Sequence, residues 1–483
     1  MKNIVVAIAV LVIVMPAMAQ EKADAPKEGV ALTVYNGNFA VVRDTRMMDI
    51  APGVDVKFLD VARDIDATSV HFKSFTDPAA KLLEQNYQFD LVSADKLLQK
   101  YIDQPIEVVC KTGGKTYAGA LMSFDGDQIV LKEDKGGLVM VQRPDNVQDI
   151  RFKALPEGLL TKPTLVWKVD TTKPGKQLAE VTYQTNNVTW HAEYVLVLTD
   201  NDTAADLSGW VSVSNNSGKT YKDALLKFIA GDVRHEQAQP RGLAAYGFAE
   251  KGGGEMPMEE KAFFEYHMYS LPRPSTVADN EVKQLEMFKP ATGLKVEKKY
   301  LYTPIPGWRW YGSRNVEPTF GTENINKKVN VFIEFANTEA NKLGIPLPAG
   351  KVRCFKQDPA DKAMEFIGEQ QIDHTARGEK LSLMIGNAFD IVGERKQTDF
   401  KSDTGRKRVE ESFKITIKNS KKEEVTVRVK EPMYRWNQWK ITESNEKHEK
   451  LDAFHEVWDV KVPPMKDDKQ GETVVTYTVE YTW

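Results

Sequence analysis

Val475-Thr476-Tyr477-Thr478-Val479-Glu480-Tyr481-Thr482-Trp483 puts Val475, Tyr477, Val479, Tyr481 and Trp483 on one face and Thr476, Thr478, Glu480 and Thr482 on the other. Successive side chains of a strand point to opposite faces, so strict alternation describes a strand with one side buried. The same period recurs upstream in Val329-Val331-Ile333-Phe335, Leu381-Leu383-Ile385, Phe413-Ile415-Ile417 and Val425-Val427-Val429. It is also present in Tyr194-Leu196-Leu198. Many short half-buried strands separated by turn residues predict a mostly β chain of antiparallel sheets. Helical periodicity is scarce and clearest at Ser93–Ile102, where Ser93 is placed to cap and Leu97, Leu98 and Tyr101 share a face. This helix is expected to join two units.

The N-terminus reads differently. Lys2 precedes an apolar run from Ile4 to Met15, Pro16 breaks it, and Ala17-Met18-Ala19 has the small-x-small pattern of a cleavage site. Residues 1–19 therefore predict a signal peptide and an exported chain beginning at Gln20. The run is short of the ~20 residues a spanning helix needs, and no later segment is long and apolar enough. Gln20 stands where a lipid-modified Cys would be. The predicted location is periplasmic or secreted. Net charge is −4 over 483 residues, with 28% charged and 41% hydrophobic residues. This balance gives no electrostatic reason to bind nucleic acid.

After cleavage the chain is too long for one core and is expected to hold several domains. Residues 29–92 read as an N-terminal β unit. Residues 100–153 read as a small SH3-like or Sm-like barrel, with strands at 106–111, 116–124, 128–132, 137–142 and 147–152. Its turns carry Gly113-Gly114 and Asp125-Gly126-Asp127. Residues 160–483 read as a larger β-sandwich region with a flexible insertion at 236–262, where Gly252-Gly253-Gly254 lies among Glu, Ala and Pro. Cys110 and Cys354 sit on apolar strand faces and read as two separate buried thiols. Lys401–Arg408 reads as a solvated hairpin tip.

Chemistry-bearing motifs are absent. His71, His191, His235, His267, His374, His448 and His455 form no ligand spacing, so no metal or cofactor is expected. There is no nucleophile elbow and no phosphate-cradling Gly loop. Carboxylates are numerous, and a hydrolase using a spatially assembled acid pair stays open as one alternative. The most suggestive residues are aromatic: Trp308-Arg309-Trp310-Tyr311 after Pro304-Ile305-Pro306-Gly307, and Tyr434-Arg435-Trp436-Asn437-Gln438-Trp439. Trp308, Trp310, Trp436 and Trp439, with Arg309, Tyr311, Tyr434 and Arg435, are candidates for a platform that stacks on sugar rings. The competing reading is that these rings close the end of a sheet core. The aromatic end of the final strand also resembles an outer-membrane barrel signal, but the charged, irregular strands upstream argue against a lipid-facing barrel.

Trp190-His191-Ala192-Glu193-Tyr194, Leu207–Asn215, Asn337–Val352 with its Leu343-Gly344-Ile345-Pro346-Leu347-Pro348-Ala349-Gly350 core, Ile372–Thr375 and Gly386-Asn387-Ala388-Phe389-Asp390 resemble one family across residues 165–483. It is the family called domain of unknown function 4139, whose long members are the mucoidy inhibitor A-like proteins. The resemblance implies export and a β-rich fold, and it brings no catalytic residues. Long members are similar in carrying a coiled-coil-like segment before this region; here the barrel-like segment stands in its place. The combined expectation is a non-enzymatic envelope scaffold that contacts a protein or a surface polysaccharide. A carbohydrate-binding protein using the Trp clusters is the alternative.

Overall fold

A computed structural model of the chain describes residues 26–89, 93–111, 113–154, 156, 161–231, 233, 258–263, 266–309, 312, 314–323 and 325–483. The predicted signal peptide, and the 236–257 part of the predicted insertion, lie outside them. Strands dominate, as the alternation requires. The end of that insertion is a strand and not a loop: Glu259–Phe263 pairs antiparallel with Tyr266–Ser270.

The chain divides into two compact units. One contains Arg43–Val61 and Ala67–Tyr183; the other contains Ala31–Val42, Ala62–Asp66 and Gln184–Trp483. Residues 29–92 thus contribute to both.

In the first unit, Thr164–Asp170 lies between Asp55–Leu59 and Lys81–Gln88. Its Trp167 is fully buried, stacks on Phe58 at 5.5 Å and donates through Nε1 to Gln85 at 3.0 Å. The predicted barrel strands all form. They make one antiparallel sheet in the order Val147–Arg151, Pro105–Cys110, Thr116–Phe124, Gln128–Lys132, Leu138–Gln142. The sheet is not a closed barrel, because its first and last strands do not pair. The one-turn helix Arg143–Asn146 runs between them, and Pro144 has no N–H to extend a ladder. Helix Ala94–Lys100 starts on Ser93, whose Oγ accepts from the Lys96 amide at 3.3 Å. It does more than join units: Leu98 and Tyr101 pack into the core of this sheet with Val108, Leu121, Ile129 and Leu131.

The second unit holds two whole sheets and strands of an eight-stranded one. Gly29–Tyr35 pairs in parallel with Tyr221–Ala230, which also pairs with Tyr266–Ser270. A five-stranded sheet runs Glu281–Lys295, Ala204–Asn215, Val188–Leu198, Gly350–Gln357, Met364–Ile372. A nine-stranded sheet runs Trp439–Ser444, Gly471–Thr482, Arg408–Asn419, Lys380–Asp403, Lys328–Ala336, Glu297–Tyr302, Val425–Pro432, His455–Val462, His448–Lys450. Strands from both of its ends share one core: Val475, Tyr477, Val479 and Tyr481 meet Val427, Val429, Trp458 and Val460. The final strand's apolar face therefore lines a protein core and does not face lipid. No helix among the described residues is long and apolar enough to cross a membrane.

Most pairings are antiparallel, but Val188–Leu198 with Gly350–Gln357 and Glu297–Tyr302 with Val425–Pro432 are parallel. The Leu343–Gly350 stretch makes the crossing to the first of these. Gly350 faces Ala192, where a Cβ would come within 2.2 Å of the Ala192 carbonyl oxygen. Tyr194 and Tyr269 hydroxyls donate to the Pro348 and Pro346 carbonyls at 2.8 and 2.9 Å. Asn337 Nδ2 donates to Ile345 O at 2.7 Å and its Oδ1 accepts from the Gly344 amide. Asn215 and Asn419 do the same work where their own strands end, each donating to carbonyls of the following turn and of a second segment. All three asparagines are fully buried. A side chain with two donors and an acceptor satisfies backbone groups that a chain leaving a sheet would otherwise orphan.

Candidate functional site

Trp308 of the first aromatic segment and Trp436 and Trp439 of the second pack against the same core of the nine-stranded sheet. Residues 303–327 form the connection between Glu297–Tyr302 and Lys328–Ala336, and 433–438 precede the edge strand Trp439–Ser444. Two arginines reach from inside the sheet to hold this connection down. Arg435 Nη1 donates to the carbonyls of Asn315 and Glu317 at 3.0 and 2.8 Å, and Nη2 to those of Pro318 and Phe320 at 3.3 Å each. Arg395 Nη1 donates to Gly321 O at 2.8 Å. Gly321 has φ +74°, and a Cβ there would lie 2.5 Å from the Tyr434 ring, so only glycine brings this carbonyl into reach.

Each arginine has its own carboxylate. Glu411 Oε1 accepts from Arg435 Nη2 at 2.7 Å, Gln397 Nε2 at 2.8 Å and the Tyr434 hydroxyl at 3.0 Å. Glu431 Oε1 accepts from Arg395 Nε at 2.6 Å and the Tyr477 hydroxyl at 2.8 Å. All four charged side chains are at most 1% exposed. Burial pushes the Glu431 carboxyl above its ordinary range, against the pull of Arg395 and Tyr477. Burial opposes the charge on Arg395 too, but Glu431 overrides it and the guanidinium is held protonated. The Arg395 guanidinium also lies 3.9 Å from the centroid of the Phe413 ring. These are the two carboxylates the core brings together, and each is locked to a cation with no surface of its own for a substrate.

Of the predicted platform, Tyr434 and Arg435 are thus buried beneath the site and not on it. The Tyr434 hydroxyl and both Arg435 Nη atoms donate to Glu411 and to the 315–320 carbonyls. Trp310 and Tyr311 lie outside the described residues. Arg309 is exposed. Trp308, Trp436 and Trp439 are half-buried at the rim. Trp308 packs on Phe454 at 6.0 Å and edge-on to His455 at 6.3 Å. Trp439 donates to Ala453 O at 2.8 Å and carries Lys450 over its ring at 4.2 Å. Arg314 lies 5.5 Å from both the Trp436 and Trp483 rings. Trp308, Trp436 and Trp439 pack against the core and stay partly exposed.

A second feature of the same sheet is absent from the aromatic reading. Lys328 pairs with Val392 and Asn330 with Asn387, so 388–391 stand opposite Val329 alone. This wide bulge turns Phe389 outward, 96% exposed, while Ile391 stays in the core. Lys327, Lys328, Asn387, Phe389 and Val392 line an open cavity of ≈ 380 Å³. Asn330 Nδ2 donates to Asn387 Oδ1 at 2.9 Å and the Ser420 amide donates to Asp390 O at 2.8 Å, fixing both sides of the bulge. Bulges of this kind re-aim side chains at functional positions. The signal for it was the Gly386–Asp390 stretch, where Ala-Phe-Asp interrupts the alternation. Among the described residues, no group of three or more His, Cys, Asp or Glu is placed to hold a metal ion.

The fold defines a mostly β protein of several sheets. Residues 179–482 match the family described as Domain of unknown function (DUF4139), and the chain belongs to that family. No curated protein matches the chain.

Proposed function

We propose that this protein is an exported, non-enzymatic scaffold of the cell envelope that binds an anionic surface polymer through the bulge at 386–391. The observation that carries this reading is Phe389, a large aromatic side chain 96% exposed on a well-fixed strand beside two lysines that make no ion pair among the described residues. Exposing such a ring costs the fold hydrophobic burial, and flat exposed aromatics with adjacent cations suit a sugar ring bearing a carboxylate. The test is affinity electrophoresis in gels containing polygalacturonate or neutral dextran. Retardation by the acidic polymer alone is expected, lost in Phe389→Ala and in the Lys327→Glu/Lys328→Glu double variant. Unchanged retardation in Phe389→Ala sinks the reading.

The aromatic rim supports a second reading, binding of neutral saccharide by the outer faces of Trp308, Trp436 and Trp439. Its variants are Trp308→Ala and Trp436→Ala. Retardation by dextran that both variants abolish favours the rim; dextran binding that both retain excludes it.

A further inference from the structure

The open sheet of the first unit ends on a strand without a charged residue. A strand at the end of a sheet presents unpaired N–H and C=O groups, and natural proteins discourage pairing there with charges or proline. Among the described residues, nine of the ten strands that end the five sheet orders carry at least one Asp, Glu, Lys or Arg. The exception is Leu138-Val139-Met140-Val141-Gln142. It pairs only with Gln128–Lys132, and its outward face holds Leu138 and Met140 at 68% and 65% exposure. The same face continues through Val130, opposite Met140, to Met122 at 40%.

We propose that this edge pairs with the same edge of a second copy, antiparallel about a two-fold axis through Met140. The strand is nearly a palindrome in side-chain type. Centred on Met140, it sets Leu138 against Gln142 and Val139 against Val141 of the other copy. Directly opposed residues of an antiparallel pair share a face, so Leu138 and Met140 of both copies form one apolar stripe. No like charges are opposed within the strand. The flanks are complementary: Lys135 and Asp145 lie five positions on either side of Met140, both exposed and neither in an ion pair among the described residues. The two-fold brings the Lys135 end of each copy to the Asp145 end of the other. An isologous contact of this kind closes at two subunits. One five-residue strand per copy makes an interface below the standard size, so the dimer is reversible.

Sedimentation velocity of the full chain tests this over about 1 to 200 µM. A dimer fraction rising with concentration is expected. Met140→Lys and Leu138→Lys, at exposed positions, leave the urea midpoint unchanged and weaken dimerisation at least ~10-fold. Lys135→Glu also weakens it, and the Lys135→Glu/Asp145→Lys exchange restores it. A wild-type chain that stays monomeric throughout, or a dimer indifferent to Met140→Lys, overturns the proposal.

Discussion

Replacing Arg435 with Met tests whether the buried ion pairs hold the site together. The substitution keeps most of the apolar stem and removes the guanidinium. Glu411, fully buried, then keeps only the Gln397 and Tyr434 donors. Removing one partner of a buried pair costs ~3–5 kcal/mol, because the remaining charge is uncompensated. The carbonyls of Asn315, Glu317, Pro318 and Phe320 lose their donor as well. They belong to a largely exposed stretch and regain water, so they add little to that sum. The expected loss is therefore about 3–5 kcal/mol, read as a fall in the urea midpoint of the second unit's transition at unchanged slope. The 314–321 stretch should also become cleavable under native conditions. Arg435→Met/Glu411→Leu separates pairing from packing, since removing both charges abolishes the uncompensated one. It should recover more than half of the loss. A single-variant cost below ~1 kcal/mol, or strictly additive single-variant costs, would refute the reasoning.

Three further outcomes follow from other parts of the fold. Asp77 accepts from the Thr171 hydroxyl at 2.7 Å and the Thr172 amide at 2.8 Å, and these bonds hold its carboxyl at about 2 against an ordinary 3.8. Its contribution is full above that ordinary value and is lost as pH falls through about 2, so the urea-midpoint gap between wild type and Asp77→Asn should close across this window; a gap independent of pH contradicts the assignment. Cys110 and Cys354 are buried free thiols, and burial pushes Cys354 up to about 12. Neither should react with Ellman's reagent until the chain unfolds, when both should. Asn419→Ala orphans the Glu423 and Pro463 carbonyls and should cost ~1–3 kcal/mol in urea unfolding, with a cost within error of zero counting against the strand-end role.

The strands were legible because their pattern is local. Thr116–Phe124 and Gln128–Lys132 appear at the expected residues, since alternation and the Asp125-Gly126-Asp127 turn are encoded within a few positions. The rim was legible as aromatic composition but not as geometry. Nothing near Arg435 says that it faces Glu411 and the 315–320 carbonyls, and the same local sequence suits a surface platform. Phe389 lay in a stretch recognisable by resemblance, yet its exposure depends on a bulge against Val329, a residue 60 positions away.

What the amino-acid order determined by itself is the β class, the positions of most strands and membership of a family, because each rests on side-chain period or on motif identity. What only the tertiary structure decided is pairing: an open sheet in place of a barrel, parallel neighbours such as Val188–Leu198 and Gly350–Gln357, and which charges are buried together. Those outcomes depend on contacts between residues remote in sequence. An arginine's partner is set by where two strands meet, and no short-range pattern carries that distance.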